Sequence, residues 1–418
     1  MTTPIRTSHA GSLPRTPALI AANRARLDTS VGTIAETEDA AAPTDATGEE
    51  TAGDFDSLLT ESVVDILQRQ KDLGITEPND GEYGHAMAAE FDYGAWWHYV
   101  FARTGGLEIN DKGLWELPEQ LSEPGKIRLN SFAGRRDRAL FPGAYSDPHA
   151  GTDTGHQPGF PVATGPISYT GTEQVQRDIR NALAGAEAAG YDTSRVYLNA
   201  LSPASGARIE NRHYDSYEEF VWAWADVLRE EYLAITEAGL TLQIDDPSLA
   251  ENWDQIAPEP TFEDYRNFTQ LSVDALNHAL RGIDPQQVRV HTCWGSWHGP
   301  HVTDLPFREI VETVLGIEAA GITFEAANVR HEHEWRIWED VKLPEGKYIV
   351  PGVVSHATNV VEHPELVADR IERFGRLVGP ENVVASTDCG LGGRVHPEIA
   401  VAKLQSLTQG AELAAKRF

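Results

Sequence analysis

The chain has 418 residues, with 34 Lys and Arg against 64 Asp and Glu, a formal charge of −30, and 41% of it is hydrophobic. That apolar fraction supplies a large core, and the acidic balance argues against nucleic acid and anionic membrane surfaces, both of which need basic protein surface. No run reaches the roughly 18 to 20 apolar residues of a membrane helix, the opening MTTPIRTSHAGSLPR lacks the apolar segment of a signal peptide, and two cysteines exclude a disulfide scaffold, so the expected compartment is the reducing cytoplasm.

Along the chain, a first strand-like run covers Ile5–Ser12. An acidic, small-residue stretch follows at 28–56, with no Lys or Arg between Arg26 and Arg69. It is expected to be a solvated insertion that buries little. Ile75–Glu82 reads as a second strand. Residues 105–160, rich in Gly, Pro and charge, are expected to form an irregular excursion with short hairpins such as LEINDKGLWEL. Beyond it, strand-like runs at Pro161–Ser168, Arg195–Ser202, Leu240–Pro247, Val288–Gly295, Gly321–Asn328, Tyr348–Ser355 and Asn382–Gly390 alternate with helical stretches. The helices are expected at Tyr217–Ala238, Phe262–Leu280, Phe307–Ala320, Pro364–Val378 and Pro397–Ala414. Strict alternation implies a parallel sheet with right-handed crossovers, and about eight units imply a (β/α)8 TIM barrel, one catalytic domain over 1–418. Nine runs are one too many, so one must lie outside the barrel. A doubly wound sheet is the competing fold, but no GxGxxG follows the first strand.

In such a barrel, chemistry sits where strands end. Here those ends carry titratable and metal-capable groups: Asp80 and Glu82, Asp245 and Asp246, His291 and Cys293, Glu325, His356, and Asp388 and Cys389. Residues i and i+2 of an extended strand face the same side, so His291 and Cys293 can point at one ion. Cys389, 96 residues later, converges only if the sheet curls. Two thiolates and an imidazole suit Zn2+ better than Mg2+ or Ca2+. The competing reading is two buried cysteines acting as small hydrophobes. Trp294, Trp297, His298 and His301 either line a pocket or cap the barrel. Arg330, His331 and His333 read as a solvated helix start or as a carboxylate or sulfonate site.

The segments His291-Thr292-Cys293, Ile322-Thr323-Phe324-Glu325 and Asp388-Cys389-Gly390 resemble the zinc site of the cobalamin-independent methionine synthase superfamily. Gln243-Ile244-Asp245-Asp246-Pro247 and Gly11-Ser12-Leu13-Pro14-Arg15 match in order and rough spacing as well. The resemblance covers most of the chain from about residue 7, apart from 28–56 and 105–160. It corresponds to the catalytic C-terminal barrel and implies a short, core-type member without the second barrel of long members.

By that resemblance the zinc ligands are His291, Cys293, Glu325 and Cys389. Gly11, Ser12, Glu82 and Asp245 hold the amino-acid thiol, Glu251 is a folate-side carboxylate, and His356 is the proton donor. The implied activity is zinc-dependent methyl or alkyl transfer between a small-molecule alkyl donor and a thiol, with homocysteine and methionine biosynthesis as the leading reading. The epoxyalkane:coenzyme M transferases share the zinc motif, so thiol attack on an epoxide is the alternative. A metal-free enzyme of the related uroporphyrinogen decarboxylase barrel is a further one. The chain departs from the family at Asp80-Gly81-Glu82, where the family has His-Gly-Glu, at Asp246, at Val354-Ser355-His356-Ala357, which lacks an Asp, and at 201–216.

Overall fold

Short runs that are buried at every position, such as Tyr197–Leu201 and Val288–Thr292, require a covering layer on both faces, which parallel strands with crossover helices provide. The computed structural model describes residues 4–30, 52–89, 94–110, 119–147, 149–152 and 160–418. Its strands are β1 (Arg6–Thr7), β2 (Thr104–Asn110), β3 (Phe160–Tyr169), β4 (Tyr197–Leu201), β5 (Glu210–Asn211), β6 (Thr241–Asp245), β7 (Val288–Thr292), β8 (Gly321–Phe324), β9 (Tyr348–Val354) and β10 (Val384–Thr387). Seven form one sheet in the order β1-β10-β9-β8-β7-β6-β4, and every neighbouring pair is parallel.

The edges of this sheet meet through residues 76–79. The N–H groups of Thr76 and Glu77 donate to the Thr7 carbonyl at 3.1 and 2.9 Å, and the Tyr197 N–H donates to the Pro78 carbonyl at 3.0 Å. Only Asn79 makes a ladder bridge, to Tyr197. The run expected as a full strand at Ile75–Glu82 is therefore a short bridging segment. Pro78 explains this, because it has no N–H to give a ladder. With that segment the sheet curls and rejoins itself in the strand order of a (β/α)8 barrel. The surplus ninth run is Pro161–Ser168, which lies in β3. It belongs to a separate three-stranded sheet in which β3 pairs antiparallel with β2 and parallel with β5.

The long helices begin where side chains can cap them. Ser216 accepts the N–H of Glu219, Thr261 that of Asp264, His363 that of Glu365 and His396 that of Glu398. These helices span Tyr217–Glu237, Phe262–Leu280, Pro364–Val378 and Pro397–Ala415, close to expectation. The helix expected over Phe307–Ala320 is instead a 3-10 turn, Phe307–Glu309, and a short helix, Val311–Leu315. Asn277 ends it, taking the Gly316 carbonyl at 3.0 Å and the Glu318 N–H at 2.8 Å. Among the described residues no helix is long and apolar enough to cross a membrane.

The 28–56 stretch is helical at both ends, in Pro17–Ser30 and Ala52–Asp72, and 31–51 lies outside the described residues. The expectation that this stretch buries little does not hold at Phe55, which belongs to the core and lies under the Arg26 guanidinium at 3.8 Å. The described parts of 105–160 include the helices Arg136–Leu140 and Pro142–Ser146; the hairpin LEINDKGLWEL reaches into residues outside the description.

Inside the curl sits Arg289, 1% exposed. Its Nε donates to Gln243 Oε1 at 2.7 Å, Nη1 to Ser8 Oγ at 3.0 Å and Nη2 to the His9 carbonyl at 3.1 Å. The guanidinium lies 3.5 Å over the Tyr197 ring and 3.7 Å from Glu77. One side chain thus ties β7 to β4, β6, the segment after β1 and the bridging segment. Arg289→Met should cost about 1–3 kcal/mol, because it leaves the buried Gln243 oxygen without its donor, while Glu77 keeps Arg6 and Arg195. The check is the urea midpoint at unchanged slope; a loss under about 1 kcal/mol would mean that the neighbours re-pair without it.

Candidate active site

Parallel strands point their C-terminal ends to one rim, and the loops leaving that rim carry the polar residues. His291 lies within β7 and Cys293 just beyond it, Glu325 follows β8, His356 follows β9, and Cys389 follows β10. The donor atoms of His291, Cys293 and Cys389 all lie within 4.8 Å of one another. His291 and Cys293 are buried. Apart from the Cys389 sulfur, neither ring nitrogen of His291 has a hydrogen-bond partner. The two free thiols are hydrogen-bonded to each other, which draws Cys389 down towards thiolate and pushes Cys293 up. Burial works against charge on His291, but the Cys389 sulfur outweighs it and raises the imidazole. A buried imidazole with idle nitrogens beside two sulfurs fits a soft or borderline metal ion, and a hydrogen-bonded core cluster would not leave those nitrogens idle.

Glu325 stands in an adjoining group with His356 and Asp388, their donor atoms again within 4.8 Å of one another. Its Oε1 accepts the Trp294 N–H at 3.1 Å and its Oε2 accepts from Asn328 at 2.9 Å. Asp388 is one of the titratable groups at the strand ends and lies outside the ligand set that the resemblance implies. Its Oδ1 accepts the N–H groups of Ala326 and Ala327 at 2.7 and 2.8 Å. That fixes the chain after β8 to the chain after β10, across β9, where Gly352 leaves no room for a Cβ against Asp388. His356 is buried with Nδ1 unpartnered, and burial lowers its basicity. The loop that carries it is pinned by Glu362, which accepts the Ser355 N–H at 2.7 Å and binds fully buried Lys403 at 2.9 Å.

Ser12 joins this rim through its carbonyl, which accepts the N–H groups of Leu391 and Gly392 at 2.8 Å each. Gly11 has φ +154°, and a Cβ there would meet Glu82 Oε1 and Asn199. Glu82 and Asp245 lie in reach of each other's charge; burial raises both to about 7, and each also feels His291. Asp245 accepts from Asn199 at 2.9 Å and Gln243 at 2.8 Å, whereas Glu82 Oε2 has no hydrogen-bond partner and lies 3.7 Å from His85 Nδ1. Asp80 is likewise held up to about 7 by burial. The structure thus brings Gly11, Glu82 and Asp245 together beside the sulfur group.

Glu251 sits apart from them, bound by Arg135 and by Arg208 at 2.6 Å. Neither arginine was singled out from sequence: Arg135 lies in a stretch of weak periodicity and Arg208 in the segment that departs from the family. Trp97 and Trp294 are core residues whose indole N–H groups bind the Ser205 and Leu305 carbonyls at 2.9 and 2.7 Å. His331 is no solvated helix start. It is buried, stacks on Trp294 at 3.8 Å, and binds Asp304 at 3.0 Å and Glu334 at 2.8 Å.

A curled parallel α/β sheet with a thiol–imidazole group and a ring of buried carboxyls at its C-terminal rim is the architecture of a barrel enzyme with a candidate metal centre. Residues 209–413 match the family model for the catalytic domain of cobalamin-independent synthase, which the chain resembles there. A 2-hydroxypropyl-CoM lyase from Xanthobacter autotrophicus is 24% identical over 386 residues, covering 78% of this chain and 94% of that protein. A methionine synthase from Thermococcus kodakarensis is 25% identical over 204 residues, 49% of this chain and 52% of its own length, so this match spans about half of that relative. A B12-independent methionine synthase from a Shewanella species, solved with selenomethionine, superposes with a TM-score of 0.66 over 99% of both chains at 19% identity. It shares the fold.

Burial opposes charge on His331, but the carboxylates of Asp304 and Glu334 overcome it and push its pKa up to about 9. A base raised above its unfolded value of 6.5 contributes stability that is complete below 6.5 and is lost as pH rises through about 9. Asp80, Glu82 and Asp245, each raised to about 7, and the shifted thiols of Cys293 and Cys389 also titrate around this range, so the difference between wild type and His331→Phe isolates the His331 contribution. Unfolding free energy should fall there by up to about 1.4 kcal/mol per pH unit, and His331→Phe should flatten the slope. Equilibrium unfolding at five pH values between 7.5 and 9.5 checks this; equal slopes in both proteins would refute it.

Proposed function

We propose that the chain is a zinc-dependent thiol alkyltransferase whose leading reaction is methyl transfer to homocysteine or a related thiol. The observation that carries the reading is the convergence of His291, Cys293 and Cys389 within 4.8 Å with the imidazole nitrogens otherwise unpartnered. Those three would hold the ion, with Glu325, placed beside them, as the fourth ligand that the family resemblance implies. When bound, zinc supplies a cation that keeps a substrate sulfur as thiolate near neutral pH. Thiol attack on an epoxide is a second reading, favoured by the 94% coverage of the 2-hydroxypropyl-CoM lyase.

The chain's own groups supply the rest. Glu82 and Asp245, two buried carboxyls held near neutrality of charge by each other and by burial, would both ionise around a substrate ammonium, which fixes one end of an amino-acid thiol. The sulfur–carbon bond forms as the bond from carbon to the leaving atom breaks. The leaving atom takes its proton from His356, whose lowered basicity makes its imidazolium a stronger acid. Burial of Glu82, Asp245, His291, Cys293 and His356 limits the water that could compete as nucleophile.

Cys389→Ser should lower bound zinc from about one per chain to well below that, since a hydroxyl replaces a thiolate; metal analysis after dialysis reads it. Wild-type protein grown with zinc yet containing none would sink the reading. His356→Asn should retain zinc and thiol binding but turn over roughly 10²–10⁴-fold more slowly. The deficit should shrink with a donor whose leaving atom needs no proton. Zinc lost along with activity would make His356 a ligand, and an unchanged rate per folded molecule would make it structural.

A further inference from the structure

Two buried arginines share a single carboxylate beside the sulfur group. Glu251 lies on the short helix Ser248–Glu251 after β6. One of its oxygens binds Arg135 Nη2 and the other binds Arg208 Nη1 at 2.6 Å. Burial would raise this carboxyl, but the two guanidiniums hold it down at about 2, so it stays charged. Arg135 Nη1 and Arg208 Nε and Nη2 are buried with no hydrogen-bond partner. Asp246 and Asp254 are within electrostatic reach, but their bonds run to Ser248, Ser205, Thr303 and the Asp137 N–H. Each unpaired buried N–H is costly, and guanidinium forks match carboxylate and sulfonate oxygens in geometry.

Aromatic rings hold the arginines in place. The Arg135 guanidinium lies 3.8 Å from the Trp297 ring and 5.1 Å from Phe132, and Arg208 lies 4.5 Å from Phe132. The cluster adjoins the sulfur site: a Cβ on Gly295, two residues beyond Cys293, would stand 2.8 Å from Glu251 Oε1. Both arginines lie outside the matched span 209–413, whereas Glu251 lies inside it. Residues outside that span therefore bring two cations to a carboxylate inside it.

We propose that Arg135 and Arg208, walled by Trp297 and Phe132, form a subsite for a compact oxyanion, a carboxylate or sulfonate, carried by the thiol or by the alkyl donor. The proposal deepens the alkyl-transfer reading and rests on it only in assigning the anion to one of those two substrates. Glu251 occupies part of the guanidinium surface, and an incoming oxyanion takes up the N–H groups that Glu251 leaves unused.

Calorimetric titration of the full chain tests this with matched probes. In the thiol arm, 3-mercaptopropionate and 2-mercaptoethanesulfonate are compared with 2-mercaptoethanol. In the donor arm, dimethylsulfonioacetate is compared with trimethylsulfonium. In one arm the anionic probe should bind about tenfold or more tightly than its counterpart, and that arm identifies the substrate that bears the anion. Arg135→Met and Arg208→Met should erase the preference and leave the counterpart's Kd unchanged. Glu251→Gln should strengthen anion binding, which a purely structural ion pair would not do. Arg208→Lys, with melting midpoints, covers the case in which a Met variant does not fold: it should keep charge and fold but lose most of the preference. The proposal is overturned if neither arm discriminates, or if the arginine variants lose both probes of a pair equally. Zinc content and 2-mercaptoethanol binding report on the alkyl-transfer reading separately, so either idea can fail alone.

Discussion

Curvature of the parallel sheet is the constraint on which everything at the site depends. β7 and β10 are separated by β8 and β9, and in a flat sheet three strand spacings would hold their ends about 14 Å apart. The donor atoms of His291, Cys293 and Cys389 lie within 4.8 Å. Only a sheet that closes on itself brings them that near. Closure in turn rests on the 76–79 segment, with Pro78 at its centre, and on Arg289, which fills the interior with hydrogen bonds where an apolar side chain would leave the Gln243 side-chain oxygen without a donor.

Closure also sorts the charges. Facing inward at the rim are groups that cannot all ionise together: Asp80, Glu82 and Asp245 are each held up near neutral pH by burial. Behind the rim are groups already compensated, such as His331 between Asp304 and Glu334, and Lys403 against Glu362. The compensated pairs shape the loops, and the uncompensated groups await a ligand. That division distinguishes binding surface from scaffold better than distance to any one residue does.

Much of this was legible in the sequence, for reasons that can be stated. The spacing of His291 and Cys293 places both on one face of an extended chain, and β7 ends where that argument needs it to. The helices Tyr217–Glu237, Phe262–Leu280, Pro364–Val378 and Pro397–Ala415 lie where the helical periodicity places them. Three features were not legible. Asp388 acts by reaching sideways to the chain after β8, a contact set by register between strands and not by its own strand's periodicity. Ile75–Glu82 has the composition of a strand, but one imino acid removes its ladder. Arg135 enters the site from a stretch with too weak a hydrophobic pattern to place, and its role emerges only where Arg208 and Trp297 meet it.

The pairing of β1 with β10 has a consequence for how the molecule assembles. Arg6 aligns with Val384 and Thr7 with Ala385, contacts between residues almost as far apart in sequence as the chain allows. Loop-closure entropy places such pairings late, after the local β-helix units have formed. The Ser12 carbonyl that fixes Leu391 and Gly392, beside Cys389, belongs to this same seam. An intermediate with six strands docked and the seam open would already hold His291 and Cys293, and Asp388 would tether Cys389 to the chain after β8, but the loop beyond Cys389 would lack its anchor on Ser12. The last long-range step of folding therefore fixes the loop that follows the third donor, and a metal ion bound by all three would act as a clasp between β7 and β10.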